Sequence, residues 1–127
     1  MTGNSTIEYN GTTSQGLTTT NVNYKNIIID NPAGVSLRGN LTLNDTISLI
    51  SGDLNIFSNT LTLSPTAYLI ESSGNTVTGN PPYIGYIQTT QTINSPSSYN
   101  PCGLGAYIIS SSNLGSTVIR RGYTVQK

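Results

Sequence analysis

The sequence contains no histidine and no tryptophan, a single cysteine, and few charged residues, which make up 8% of the chain. Without histidine, and with one cysteine, the usual zinc sites and Ser–His–Asp catalysis are excluded. The single cysteine has no second thiol in the chain with which to form a disulfide. No apolar run approaches the roughly 18 residues that a membrane-spanning helix needs, so we expect no membrane insertion.

The few charges balance, with five basic side chains against five acidic ones in 127 residues. All five acids lie in residues 1–71, whereas residues 72–127 contain three bases, Arg120, Arg121 and Lys127, and no acid. A neutral chain without a basic cluster offers no counterion-releasing surface, so we expect no nucleic-acid partner. The length indicates about one domain.

Serine, threonine and asparagine are abundant, at 50 residues together, and short apolar triplets recur between them. The triplets begin six or seven residues apart, at Val35–Leu37, Leu41–Leu43, Ile47–Leu49, Leu54–Ile56 and Leu61–Leu63. Each has the period-2 pattern of a short strand that places two side chains on one face. The triplets are too closely spaced for ordinary hairpins.

Three triplets make a longer period of about 20 residues. Two series follow this spacing: Ile7, Ile27, Ile47 and Ala67, and Tyr9, Ile29, Leu49 and Leu69. The period predicts an all-β fold, a right-handed parallel β-solenoid with three short strands per coil, in which each series forms an inward column. An antiparallel sandwich is the alternative, but it requires no such period.

From about residue 79 the pattern changes. We therefore expect solenoid repeats over residues 1–78 and a β-rich C-terminal cap, or a truncated second β-domain, over residues 79–127. We predict a strand over 83–88 that continues over 89–93, then a loop over 95–105. Further short strands are predicted at 106–110, 117–119 and 123–125. A cap is expected because the open edges at a solenoid end favour aggregation.

Two segments carry a resemblance to a known family: residues 26–63, NIIIDNPAGVSLRGNLTLNDTISLISGDLNIFSNTLTL, and residues 103–126, GLGAYIISSSNLGSTVIRRGYTVQ. They resemble a repeat of secreted, multidomain surface proteins of Bacteroidetes, among them adhesin-like cargo of the type IX secretion pathway. The resemblance implies a parallel β-helix at the cell surface or outside the cell, acting as a rigid spacer or adhesin. It implies no catalytic residues. The start, Met1-Thr2-Gly3, does not resemble a signal peptide, so we expect a fragment of a larger exported protein.

The sequence offers few groups for catalysis. The paired carboxylates of a polysaccharide-processing β-helix would have to come from Glu8, Asp30, Asp45, Asp53 or Glu71. The predicted loops are too short for a substrate cleft, and Asp30 and Asp53 lie in turn sequences where a carboxylate bonds its local backbone. No calcium-loop motif is present in the sequence. We therefore predict no enzyme, no metal and no cofactor, with a small polysaccharide-processing β-helix as the enzymatic alternative.

The chain has eight tyrosines, and five of them lie in the tail: Tyr83, Tyr86, Tyr99, Tyr107 and Tyr123. An exposed tyrosine ring packs against sugar C–H groups while its hydroxyl group forms hydrogen bonds. We therefore predict glycan contacts at Tyr83, Tyr86 and Tyr99, with a polysaccharide or a host or matrix surface as partner, beside neighbouring domains of a larger protein. The alternative is that these rings fill the core of a small β-domain. The sequence leaves the oligomeric state open.

Overall fold

The computed structural model describes residues 5–80 and 82–123, except for the side chain of Tyr123. The strands are β1 (Thr6–Tyr9), β2 (Gln15–Leu17), β3 (Asn26–Asp30), β4 (Val35–Leu37), β5 (Leu41–Leu43), β6 (Thr46–Ser51), β7 (Leu54–Asn55), β8 (Thr60–Leu63), β9 (Tyr68–Glu71), β10 (Val77–Thr78), β11 (Gly85–Asn94) and β12 (Asn113–Tyr123). A single 3-10 turn, Pro101–Gly103, lies between β11 and β12.

The strands form three four-stranded sheets, each assembled from successive coils of the chain. Sheet A has the order β1-β3-β6-β9, sheet B the order β2-β4-β7-β10, and sheet C the order β5-β8-β11-β12. All neighbours pair in parallel except β11 and β12, which are antiparallel. The all-β prediction of a β-solenoid is confirmed, with about four turns.

The 20-residue register is confirmed for the first coils and changes in a later one. Ile7 pairs with Ile27, and Ile27 pairs with Ile47. Ile47 then pairs with Leu69, so the predicted columns are wrong at their last members, Ala67 and Leu69. The reason is a longer corner: two residues separate β5 from β6, but four separate β8 from β9. Ala67 is still buried, at this corner.

The core lies between the three sheets and consists of aliphatic columns. Leu41 pairs with Leu61, and Leu61 with Ile87, and all three side chains are buried. Full burial of one such side chain contributes about 1.5–3 kcal/mol to folding. The hydrophobic effect along these columns therefore stabilises a chain with few charges.

The first coil departs from the predicted three strands. Within the described residues it contributes β1 to sheet A and β2 to sheet B, while sheet C begins with β5 of the next coil. Tyr24 lies shortly before β3, and its side chain is buried in the core cluster. Its hydroxyl group donates a hydrogen bond to the Thr18 carbonyl at 2.7 Å and lies 3.2 Å from the Tyr9 hydroxyl. Burial, and then the contact with Tyr9, raise the pKa of Tyr24 far above its usual range.

The tail is more continuous than predicted. The strand predicted over 83–88 with its continuation over 89–93 is confirmed as β11, but β11 begins only at Gly85, and it pairs in parallel with β8. The strand predicted at 106–110 is wrong, because only Ile108 forms an isolated bridge, with Tyr99. The strand at 117–119 is part of the long strand β12, which extends to Tyr123; residues 124 and 125 lie outside the described residues. Sheet C thus contains strands from both sides of residue 79: β5 and β8 precede it in sequence, and β11 and β12 follow it. The division of the chain at residue 79 stays a prediction.

A salt bridge joins the three sheets at the tail end of the solenoid. Arg121 of β12 binds both carboxylate oxygens of Glu71 at the end of β9. The same carboxylate accepts hydrogen bonds from the Val77 amide of β10 and from the Thr76 hydroxyl, both at 2.9 Å. Burial alone would raise the pKa of Glu71, but the bonds from Arg121, Val77 and Thr76, with the charge of Arg121, outweigh it and lower the pKa.

Candidate functional site

The outer face of sheet C is a row-by-row array of polar side chains. Strand alternation puts every second residue of β8, β11 and β12 on this face, because the residues between them are directed to the core. The outer face, as the name is used below, consists of Thr42, Thr60, Thr62, Tyr86, Gln88, Thr90, Thr92, Ser116, Val118, Arg120 and Gly122. It is neutral apart from Arg120.

Tyr86 and Arg120 form a contact pair on this face. The guanidinium carbon of Arg120 lies over the Tyr86 ring, 4.7 Å from its centroid, in cation–π geometry. Gly122 pairs with Tyr86 across the strands. A Cβ atom at Gly122 would lie 3.0 Å from Cε1 of the ring, so glycine provides the room that the ring occupies.

Gln88 fixes the orientation of the guanidinium group. Arg120 Nε donates a hydrogen bond to Gln88 Oε1 at 2.9 Å, and Gln88 Nε2 donates to Thr62 Oγ1 at 3.4 Å. These residues occupy one row across three strands, since Thr62 pairs with Gln88 and Gln88 pairs with Arg120. Side chains held in this way lose little further freedom when a ligand binds.

Arg120 has no acidic partner in the part of the chain that the structure describes. The ion pairs there are Lys25 with Asp45, at 3.9 Å, and Arg121 with Glu71. The outer face therefore presents one cation that is held in place by a ring and an amide and is not neutralised.

Tyr83 lies in the corner that leads into β11 of sheet C. Its side chain is 48% exposed, and its ring contacts Phe57 edge-on, with centroids 5.8 Å apart and an interplanar angle of 81°. The backbone amide of Tyr83 donates to the Asn80 carbonyl at 2.9 Å, which fixes the turn that leads into β11. The exposed Tyr83 ring is thus close in sequence to Tyr86 of the outer face, but it lies in the corner and not on that face.

Tyr99 lies on the opposite side of β11. Its hydroxyl group donates to Gln91 Oε1, and Gln91 belongs to the inward-facing residues of that strand. Tyr99 lines an open depression of about 460 Å³ that includes residues 91–94 and 96–100. The structure therefore separates Tyr86 from Tyr99, and the three predicted glycan contacts do not form one site.

A buried polar cluster that was not predicted from the sequence lies between the tail and the corner after β8. Thr89 and Gln91 continue the inward alternation of β11 after Ile87, and both are buried. Gln91 Nε2 donates to Cys102 Sγ at 3.1 Å, and the thiol lies 3.3 Å from both Thr89 Oγ1 and the Ser64 carbonyl. The signal that would have revealed the cluster is the period-2 register, which places polar residues at inward positions here.

Three of the five carboxylates, those of Asp45, Asp53 and Glu71, are engaged in structural contacts. Asp53 accepts a hydrogen bond from the Thr76 amide at 2.8 Å, one coil away, so the prediction of a purely local turn contact is wrong for Asp53. Asp30 ends strand β3, and the neighbouring Asn31 makes the turn contact instead, accepting from the Ala33 amide at 2.9 Å. Within residues 5–80 and 82–123, no three His, Cys, Asp or Glu side chains are grouped to hold a metal ion.

The fold defines a β-solenoid, and the outer face of sheet C carries the linked contacts of Tyr86, Arg120, Gln88 and Thr62. No family model, curated protein or solved structure matches the chain. The resemblance to Bacteroidetes surface repeats therefore stays a prediction. Among the described residues, no helix is long and apolar enough to cross a membrane.

Proposed function

We propose that this chain is a non-enzymatic structural module of a secreted or cell-surface bacterial protein and acts as a rigid spacer or adhesin. The supporting observation is the ladder of three four-stranded sheets, in which each coil pairs with the next. Backbone hydrogen bonds and aliphatic columns connect every coil to its neighbours, so the solenoid resists bending and extension. Such a scaffold suits a protein that holds binding groups away from a cell.

A panel of polysaccharides, assayed for binding and for release of reducing ends, tests this proposal. We expect no hydrolysis at any pH between acid and neutral, because Asp53 and Glu71 hold the backbone and side chains of the next coil or strand. Hydrolysis that disappears in Asp53→Asn or Glu71→Gln, with folding retained, would overturn the non-enzymatic proposal and favour the β-helix enzyme.

Carbohydrate binding is a second candidate function, and the outer face of sheet C favours it. Its threonine hydroxyls, the Gln88 amide and the Tyr86 ring lie on one side of four adjacent strands. A side of a sheet provides a flat surface that matches an extended polysaccharide, and hydroxyl and amide groups form hydrogen bonds with sugars.

Substitution of two of the three tyrosines, Tyr86 and Tyr99, distinguishes the surfaces. We expect Tyr86→Ala to weaken polysaccharide binding about tenfold, because the ring and the position of Arg120 are lost together. Tyr99→Ala should leave binding unchanged, since Tyr99 lies on the other side of β11. Equal losses in the two variants, measured by isothermal titration calorimetry, would place the binding surface elsewhere.

A further inference from the structure

We infer that the outer face of sheet C recognises an acidic polysaccharide, and that Arg120 binds the negatively charged group of the sugar. The inference rests on the second candidate function, carbohydrate binding by this face, and specifies the class of ligand. The juxtaposition that carries it is the Arg120 guanidinium group, held between the Tyr86 ring and the Gln88 amide on a face without acids.

The first step is the availability of the cation. Arg120 Nε donates its hydrogen bond to Gln88, and no described residue accepts a hydrogen bond from the two terminal nitrogens of Arg120. These nitrogens form the fork that matches a carboxylate or a sulfate group. Arg121, the next residue, is directed to the other side of β12 and pairs with Glu71, so the two arginines have different roles.

The Tyr86 ring is partly covered by Arg120. Because Arg120 covers one face of the ring, that face does not stack on a neutral sugar. The ring instead supports the guanidinium plane and delocalised charge at the surface. Recognition therefore depends on the cation more than on the ring face, and this favours a charged saccharide over a neutral one.

The rest of the outer face carries uncharged residues. The outward residues that surround Arg120 are uncharged: Val118 and Gly122 flank it along β12, while Gln88, Thr90 and the other threonines of the face supply hydrogen-bonding groups. They match the hydroxyl groups between the charged groups of an acidic polysaccharide. Nucleic acid is disfavoured, since it requires several cations, whereas this face has one and the chain is neutral overall.

Titration of the intact chain with polygalacturonate, dextran sulfate and neutral dextran tests the inference, at low and high salt. We expect an acidic polymer to bind at least about tenfold more tightly than dextran, because hydrogen bonds to charged groups are strong. Polygalacturonate as the tighter ligand identifies a carboxylate, and dextran sulfate identifies a sulfate. Added salt should weaken the binding by screening.

Arg120→Gln should reduce acidic-polymer binding about tenfold, to the level of dextran. Arg38→Gln is the matched control, since it removes the same charge from an exposed position outside the outer face, directly after β4 of sheet B. Arg120→Lys keeps the charge and loses the planar fork, so partial binding is expected from it. Each variant is first shown to melt at the wild-type temperature.

Two results would overturn the inference, and they differ in scope. Equal binding of dextran and the acidic polymers, unchanged in Arg120→Gln, would refute the acidic ligand and leave carbohydrate binding intact. No binding of any of the three polymers by the folded chain would refute both the inference and carbohydrate binding by this face.

Discussion

Neighbouring residues of the solenoid strands face opposite environments, and Ile47 and Ser48 of β6 show the difference. Ile47 is fully buried, whereas Ser48 faces outward and is half-buried. We expect Ile47→Asp to unfold the chain, because an unpaired buried carboxylate costs about 4 kcal/mol or more, a large part of the stability of a small domain. Ser48→Asp should melt within a few degrees of wild type. Equal melting temperatures in the two variants, followed by circular dichroism, would contradict the inward columns.

Glu71 gives the stability a defined pH dependence. Its pKa is lowered in the folded chain, and that of the unfolded chain is about 4.3. The stabilisation is therefore complete above the unfolded pKa and is lost as the pH falls through the folded pKa. Urea titrations from neutral pH down to about pH 3 should show wild type losing stability in the acid range.

Glu71→Gln should remove that acid-range loss and lower the neutral-pH stability by about 1–2 kcal/mol, because the partly buried Arg121 loses its carboxylate partner. Asp45→Asn is the matched control, since Asp45 and Lys25 form an exposed pair at 3.9 Å. Such pairs contribute about 0–1 kcal/mol. A Glu71→Gln variant as stable as wild type at neutral pH would show that the salt bridge between Glu71 and Arg121 does not stabilise the fold.

At the scale of the elements, the corners between sheets A and B depend on two glycines in different surroundings. Gly52 and Gly74 both have positive φ, at 84° and 82°. A Cβ atom at Gly52 would lie 1.9 Å from the Asn31 carbonyl oxygen, whereas one at Gly74 would meet nothing within 4 Å. We expect Gly74→Ala to cost about 1–2 kcal/mol, from backbone strain alone. Gly52→Ala should cost several kcal/mol more, and similar losses in urea unfolding would refute the steric reason.

The solenoid register could be predicted from the sequence because the buried positions of β3 to β8 hold aliphatic side chains. The pairing of Ile27 with Ile47 follows directly from that pattern. The corner before β9 could not be predicted, since its extra residues lie outside the alternating pattern. The antiparallel direction of β12 could not be predicted either, because parallel and antiparallel strands show the same two-residue alternation of side chains.

The candidate site was predicted only in part, for a related reason. Tyrosine abundance indicated the tail, and Tyr86 does lie on the outer face. Which side of β11 each tyrosine occupies depends on the phase of that strand, which the polar residues Thr89 and Gln91 conceal. The contacts of Arg120 with Gln88 and Tyr86 could not be predicted, because they join residues more than 30 positions apart in sequence.

At the scale of the whole molecule, Cys102 reports whether the tail unfolds together with the repeats. The thiol is buried between the tail and the Ser64 carbonyl, and β11 continues sheet C from β8. We expect thiol labelling of the native chain to require global unfolding, so the free energy from labelling should equal that from urea titration. A clearly smaller labelling value would show that residues 79–127 open separately, as a second unit would.

The reversed direction of β12 makes the two ends of the solenoid unequal as templates for growth. At the tail end, an incoming coil would meet β9 and β10, which run with the solenoid, and β12, which runs against it. Parallel and antiparallel ladders place their hydrogen bonds differently. An incoming coil of the repeat type would therefore have to pair in parallel with two edges and antiparallel with the third, which no coil within the solenoid has to do.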